Sequence, residues 1–163
     1  MIVCFQTVVP KEDYTLDVIM SNGNRLFLDM STQLETVQFC PLKDKTVWNS
    51  VEVQDTCLRW IGKSAVELSI DRLVGLFKMG LNFGEDAKID RVTSEKNWLL
   101  HLVLDNGNRL DMDMSQLLEF SLFAPLSQKG LWKTMKAKEH SLLWQDSNIQ
   151  LEIPVSTILH YFA

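Results

Sequence analysis

A five-residue segment, Asn22-Gly23-Asn24-Arg25-Leu26, occurs twice in this chain and constrains the fold more than any other feature. The second occurrence begins at Asn106, an offset of 84 residues (106 − 22). A gapless alignment of residues 14–60 with residues 98–144 gives 18 identities in 47 positions. A repeat of this length predicts one structural module used twice. We assign residues 1–80 to the first module, 81–86 to a linker and 87–163 to the second module.

The Asn-Gly pairs lie between apolar runs, which is a strong hairpin signal. A two-residue turn would place apolar and charged side chains on the same face of the hairpin. A type I turn followed by a left-handed glycine shifts the register by one residue and pairs Val18 with Leu26 and Leu16 with Leu28. One face then becomes apolar, so we predict this second turn, with Gly23 and Gly107 as the left-handed residues.

The remaining patterns predict an α+β fold of two homologous small modules, each a mostly antiparallel sheet with a short helix after the first hairpin, packed as a pseudo-dimer. In the first module we expect a helix at residues 31–38, with Thr32 and Glu35 as a capping box, and a second helix at residues 71–79 capped by Asp71. In the second module we expect a helix at residues 116–122, and a terminal segment at residues 155–162 with Pro154 as its first helical residue. The expected strands are residues 2–9, 14–20, 26–30, 51–54, 57–60 and 66–70, then 87–93, 98–104, 110–114, 135–138, 142–144 and 149–153.

Composition narrows the class of protein. Hydrophobic residues make up 46% of the chain and the formal net charge is −5, which favours a packed protein over a disordered or nucleic-acid-binding one. The nearest approach to a basic patch is the loose cluster Lys129, Lys133, Lys136 and Lys138, which we interpret as a solvated face. We therefore expect no nucleic-acid partner.

Cysteine use and hydropathy predict a location. Cys4, Cys40 and Cys57 are odd in number and form no CxxC motif, which fits a reducing cytoplasm. No apolar run is long enough for a membrane span, and residues 1–10 are too short for a signal peptide. We expect a cytoplasmic protein.

Few residues suggest chemistry. The predicted register places His101 opposite Asp111, with Arg109 nearby, and such a cluster can in principle hold a metal or act as a general base. The corresponding positions of the first module are Asp17 and Phe27, so the pair is not repeated, and an exposed cross-strand ion pair is the favoured interpretation. No zinc, calcium, phosphate-loop or serine-hydrolase motif is present. We therefore predict no catalytic residue, no cofactor and no metal.

Four tryptophans occupy matching positions in the two modules. They are Trp48, Trp60, Trp132 and Trp144. They could line a binding groove, because tryptophan is common in interface hot spots. Because both copies retain them, we favour the other interpretation, in which they close the core of each module.

The first module also contains a sequence pattern typical of a protein family. Its parts are a Val9-Pro10 strand end, Asp13-Tyr14-Thr15-Leu16, the Ser21-Asn22-Gly23 turn, residues 39–44 with Phe39, Leu42 and Asp44, and a strand ending at Trp60. The chain resembles a tandem duplication of the bacterial domain-of-unknown-function 2442 family. The resemblance implies a small α+β fold and no established activity. It also implies partnership with a small protein encoded nearby, in the manner of toxin–antitoxin pairs.

These observations predict a non-enzymatic cytoplasmic protein, a monomer or homodimer, that acts by protein–protein contact as an interaction or regulatory (antitoxin-like) module. The alternative is a small-ligand binder or enzyme that uses a cleft between the repeats near His101, Arg109 and Asp111.

Overall fold

The structure is a computed structural model that describes residues 2–163. The chain divides into two compact units, which are residues 2–77 together with residue 163, and residues 78–162. Both units are mixed α/β, with antiparallel strand pairs and few helices. We call them the first unit and the second unit.

The first unit begins with a three-stranded meander of β1 (Phe5–Pro10), β2 (Thr15–Met20) and β3 (Arg25–Asp29). Two 3₁₀ helices and a short α-helix follow: Ser31–Glu35, Cys40–Lys43 and α1 (Lys45–Trp48). A second three-stranded sheet contains β4 (Glu52–Gln54), β5 (Cys57–Trp60) and β6 (Val66–Ser69). The helix α2 (Ile70–Phe77) completes the unit.

The second unit has the same order of elements. Its meander contains β7 (Ile89–Ser94), β8 (Leu99–Leu104) and β9 (Arg109–Asp113). The 3₁₀ helices Met114–Leu117 and Ala124–Ser127 and the helix α3 (Lys129–Trp132) follow. The second sheet contains β10 (Lys136–Ala137), β11 (Ser141–Gln145) and β12 (Gln150–Pro154), and α4 (Val155–His160) is the last helix.

The register predicted for the two Asn-Gly hairpins is confirmed. Val18 pairs with Leu26, and Leu102 pairs with Leu110. Gly23 has φ +86° and Gly107 has φ +87°, the left-handed conformation that the bulged turn requires. Apolar side chains of both hairpins therefore lie on one face, where Val18 and Leu26 are fully buried.

A short helix follows each Asn-Gly hairpin, as predicted, but it is a 3₁₀ helix with other bounds. Residues 31–38 contain only a 3₁₀ helix, and Met30, rather than Thr32, precedes it without a side-chain cap. Glu35 instead forms an ion pair with Lys43 at 3.0 Å. In the second unit the 3₁₀ helix Met114–Leu117 replaces the helix expected at residues 116–122, and the Asp113 side chain accepts a hydrogen bond from the Ser115 N–H. Proline follows closely in both units, so there is no room for a long α-helix.

The element ends also differ from the predictions. The first strand begins at Phe5 rather than at residue 2, and α2 ends at Phe77. At the start of α2 the Ser69 Oγ accepts a hydrogen bond from the Arg72 N–H, so Ser69 takes the capping role assigned to Asp71. Pro154 precedes the first turn of α4 instead of forming part of it.

Residues 81–86, predicted as a linker, form a hydrogen-bonded loop at the start of the second unit. Gly80 N–H donates to Glu85 O at 2.8 Å, and Ala87 N–H donates to Lys78 O at 2.8 Å.

The helices within residues 2–163 are all too short or too polar to span a lipid bilayer.

The repeated tryptophans are buried and stack in pairs. Trp48 and Trp60 have ring centroids 6.2 Å apart, and Trp132 and Trp144 have centroids 6.0 Å apart. At most 2% of any of the four is exposed. Each pair therefore packs in the core of its own unit, as offset aromatic rings do.

Candidate functional site

The polar cluster suggested by the sequence forms within the second unit. His101 on β8 pairs with Asp111 on β9, and its Nδ1 lies 2.7 Å from Asp111 Oδ1. Its Nε2 lies 3.0 Å from the Oε1 of Glu95, in the turn between β7 and β8. The structure thus brings His101 and Asp111 together and adds Glu95, which no sequence pattern had indicated. Arg109 lies on β9 opposite Val103.

The contacts of His101 favour its charged form. The hydrogen bond to Asp111, and then that to Glu95, raise the pKa of His101 above its usual value against the opposing effect of partial burial. A neutral imidazole has one N–H donor, whereas the imidazolium has two, so only the charged ring donates to both carboxylates at once. With both nitrogens engaged, His101 bridges the β7–β8 turn to β9 as an ion pair and offers no free nitrogen to a substrate.

The first unit has a different ion pair at the corresponding positions. Asp17 takes the place of His101, and Phe27 takes the place of Asp111. The Arg25 guanidinium donates two hydrogen bonds to the Asp17 carboxylate, at 2.8 and 2.6 Å, and lies over the Phe27 ring at 4.7 Å from its centroid. The His101 cluster is therefore specific to the second unit.

An unusual backbone conformation occurs at the turn between the first two strands of each unit. Tyr14 has φ +64° and Trp98 has φ +62°. Residues with a Cβ rarely adopt this region, and doing so costs about 1–3 kcal/mol. Strain of this kind persists only where surrounding contacts enforce it, so the contacts of these two aromatic side chains indicate what the turn depends on.

Indole N–H groups fix the turn of the second unit. Trp98 Nε1 donates to Leu126 O at 2.7 Å, and Trp132 Nε1 donates to Glu95 O at 2.8 Å. The second bond holds the backbone of the same glutamate whose side chain contacts His101. The Glu95 residue is therefore fixed at both its carbonyl and its carboxylate.

The first unit uses the same device with other residues. Tyr14 Oη donates to Lys43 O at 2.8 Å, and Trp48 Nε1 donates to Lys11 O at 2.8 Å. The Lys45 ammonium lies 3.6 Å from the centroid of the Tyr14 ring. An aromatic residue in a left-handed turn, anchored by a buried tryptophan, is thus built into both units.

A pocket of about 250 Å³ opens beside the turn of the second unit, and we call it the lysine pocket. Its lining consists of Ser94, Glu95, Lys96, Lys129, Trp132 and Lys133. Across residues 2–163, no carboxylate lies within 4.0 Å of the ammonium groups of Lys96, Lys129 and Lys133. The pocket is therefore a concave site with three cationic groups that have no anionic partner.

The lysine pocket modifies the interpretation of the loose lysine cluster. Lys129 and Lys133 line the pocket, and the Lys129 ammonium lies 5.9 Å from the centroid of the Trp98 ring. Lys138 instead forms an ion pair with Glu152 at 2.9 Å, and Lys136 is exposed on β10. The cluster thus divides into two groups, and Lys96, 33 residues before Lys129 (129 − 96), joins the first.

The strand that leads into the pocket has an open edge. Glu95 N–H donates to Leu99 O, so the backbone of Glu95 faces β8. Successive residues of a strand face opposite neighbours, so the backbone groups of Ser94 and Val92 point away from β8. β7 is the last strand of its sheet, and within the described chain no backbone hydrogen bond reaches those outward groups.

No family model, curated protein or solved structure matches the chain. The candidate site therefore rests on its own geometry. In the part of the chain that the structure describes, no group of three His, Cys, Asp or Glu side chains could hold a metal ion. What remains on the second unit is an open strand edge, a strained and doubly anchored turn, and a cationic pocket, all within the segments 90–98 and 129–133.

Proposed function

We propose that this chain is a non-enzymatic protein-interaction module, and that its second unit binds an extended segment of a partner protein along β7. The observation that carries the proposal is the outward-facing backbone of Val92 and Ser94, which has no partner in the described chain. Strand edges of this kind bind extended peptides through main-chain hydrogen bonds. The same proposal has four further parts. They are membership of the domain-of-unknown-function 2442 family, an antitoxin-like regulatory role, duplication into a packed pseudo-dimer and a cytoplasmic location.

The two units differ at the position that matters most for such binding. The residue of the first unit that corresponds to Ser94 is Pro10, at the end of β1. Proline has no N–H to donate, and proline on an edge strand protects that edge against pairing. β1 therefore lacks a backbone donor at Pro10, whereas β7 has a donor and an acceptor at every residue. This difference supports β7 as the binding edge.

Both β10 and Glu139 contact β7, which limits the length of the open edge. Ile89 N–H donates to Glu139 O at 2.8 Å, and the register of β7 against β8 shifts between Ile89 and Arg91. From Arg91 onward the strand is regular, with exposed side chains at Arg91 and Thr93. The proposed partner segment therefore pairs with the last four residues of β7, from Arg91 to Ser94.

An enzymatic role is less well supported than a binding role. His101 is the best candidate for a general base, and both of its ring nitrogens contact carboxylates. A general base needs an acceptor nitrogen within reach of a substrate proton. The small-ligand alternative retains one supporting observation, the lysine pocket, which lies beside the proposed peptide edge.

The substitution Ser94→Pro tests the proposal by giving β7 the residue that β1 has. We expect short random peptides displayed on phage to enrich on the immobilised wild-type protein and to be lost on Ser94→Pro. The matched control is Ser94→Ala, which removes the hydroxyl but keeps the backbone N–H, so strand pairing with the peptides should be retained. Circular dichroism of both variants checks that they fold.

A measurement on the wild-type protein makes the test independent of the variant. A peptide that adds a strand to β7 must slow amide hydrogen exchange at Val92 and Ser94, because their N–H groups become hydrogen bonded. Unchanged exchange at both amides in the presence of a saturating selected peptide would overturn the proposal. Enrichment of the same peptides on Ser94→Pro would overturn it as well.

A further inference from the structure

We propose that the lysine pocket is the specificity site of this module and binds a glutamate side chain of the partner segment that pairs with β7. This inference rests on the proposed function, because the occupant is part of that segment. It adds the chemistry of the partner, an acidic extended peptide, and the residues that recognise it.

The position of the pocket links it to the strand edge. Ser94 is both the last residue of β7 and part of the pocket lining. Its backbone points outward from β8, toward the side on which a partner strand would lie. A chain that pairs with Ser94 therefore passes beside the pocket, and one of its side chains can enter.

The charge of the pocket selects an anion. Lys96, Lys129 and Lys133 line it without carboxylate partners in the described chain. The one carboxylate in the lining belongs to Glu95, whose Oε1 is 3.0 Å from the His101 ring. The three ammonium groups outnumber this single carboxylate, so the pocket carries an excess of positive charge.

The size of the pocket and the tryptophan in its lining favour a side chain over a larger ligand. Its volume of about 250 Å³ is below the roughly 300–1,000 Å³ typical of sites for drug-sized molecules. Trp132 lines it, and the indole N–H is already bonded to Glu95 O. Trp132 therefore offers apolar contact and no free indole donor, which suits the methylene groups of a glutamate whose carboxylate reaches the lysines.

The comparison between the two units supplies an independent reason. The residues of the first unit that correspond to Lys96 and Lys133 are Glu12 and Asn49. The first unit, whose strand edge lacks a donor at Pro10, thus also lacks two of the three pocket lysines. The open strand edge and the cationic pocket occur together in the second unit, and both are altered in the first unit. This pattern is expected if the two features serve one binding event.

The test uses peptides selected on the wild-type protein and twins in which each Glu is replaced by Gln. We expect a Glu to recur at one peptide position, and its Gln twin to bind about tenfold more weakly, a difference of about 1.4 kcal/mol. The double variant Lys129→Gln/Lys133→Gln should bind both peptides alike, because removal of one partner cancels the effect of removing the other. Lys63→Gln, which removes an exposed lysine of the first unit, is the matched control and should keep the tenfold difference.

The outcomes separate this inference from the proposed function. If Ser94→Pro abolishes binding but Glu peptides and their Gln twins bind equally to wild type, the strand-edge function stands and the glutamate pocket is refuted. If no peptide binds, the proposed function fails. In that case, glutarate tests the pocket alone. The readout is the chemical shift of the indole N–H resonances of Trp98 and Trp132 in two-dimensional NMR. A change of these shifts with glutarate, in a protein that binds no peptide, would refute a peptide as the occupant.

Discussion

Replacing Gly107 by alanine tests the hairpin turn on which the second unit depends. Gly107 has φ +87°, and a Cβ added to it would meet no atom within 4 Å. The cost is therefore backbone strain alone, about 1–2 kcal/mol for an L-residue in the left-handed region. Alanine also restricts the unfolded chain, which offsets roughly 0.4–1 kcal/mol. We expect Gly107→Ala to lower the free energy of unfolding by about 1 kcal/mol.

Gly75 provides a matched control with the opposite expected sign. It lies inside α2, and a Cβ added there also meets nothing within 4 Å. Because alanine is the better helix former, Gly75→Ala should raise the free energy of unfolding by roughly 0.5–1 kcal/mol. Urea unfolding measures both changes as shifts of the midpoint at constant slope. If Gly107→Ala were neutral or stabilising, the assignment of strain to this turn would be refuted.

Two further substitutions test the anchors of the β7–β8 turn. Trp132→Phe removes the donor to Glu95 O and should cost about 1–3 kcal/mol, with faster amide exchange in that turn as the specific readout. His101→Gln should change how stability depends on pH. The bonds to Asp111 and then to Glu95 raise the pKa of His101 in the folded state, so its contribution is complete below about pH 6.5 and is lost as pH rises through the folded pKa. The free energy of unfolding of the wild-type protein, measured with urea, should therefore fall above that pH relative to that of His101→Gln. Parallel pH profiles of the two proteins would contradict the ion pair.

The sequence was sufficient for the hairpins because local rules determine them. Alternation of apolar residues selects one register out of two, and glycine meets the left-handed requirement of the turn. The same rules failed at Trp98, since they assign left-handed positions to glycine. An indole there is held by a bond to Leu126 O, 28 residues away, and no local pattern reports such a contact.

The candidate site shows the same division between local and distant information. The His101–Asp111 pair follows from the register of one hairpin and was predicted. Glu95 lies in the preceding turn, only six residues from His101, and treating that turn with the bulged geometry of the Asn-Gly hairpins would have pointed to it. The lysine pocket could not be found in this way, because it requires residues 129–133 to fold against residues 94–96.

The differences between the units allow the proposed site to be transferred. The triple variant Pro10→Ser/Glu12→Lys/Asn49→Lys gives the first unit the edge donor and the two lysines of the second, beside Lys45, which already occupies the position of Lys129. We expect this variant to bind two glutamate-containing peptides per chain, where wild type binds one, measured as the stoichiometry of a calorimetric titration. Pro10→Ser alone restores the edge without the pocket, so its second site should not distinguish Glu from Gln peptides. A stoichiometry of one for the triple variant, with the fold intact by circular dichroism, would show that strand edge and lysines together are insufficient for binding.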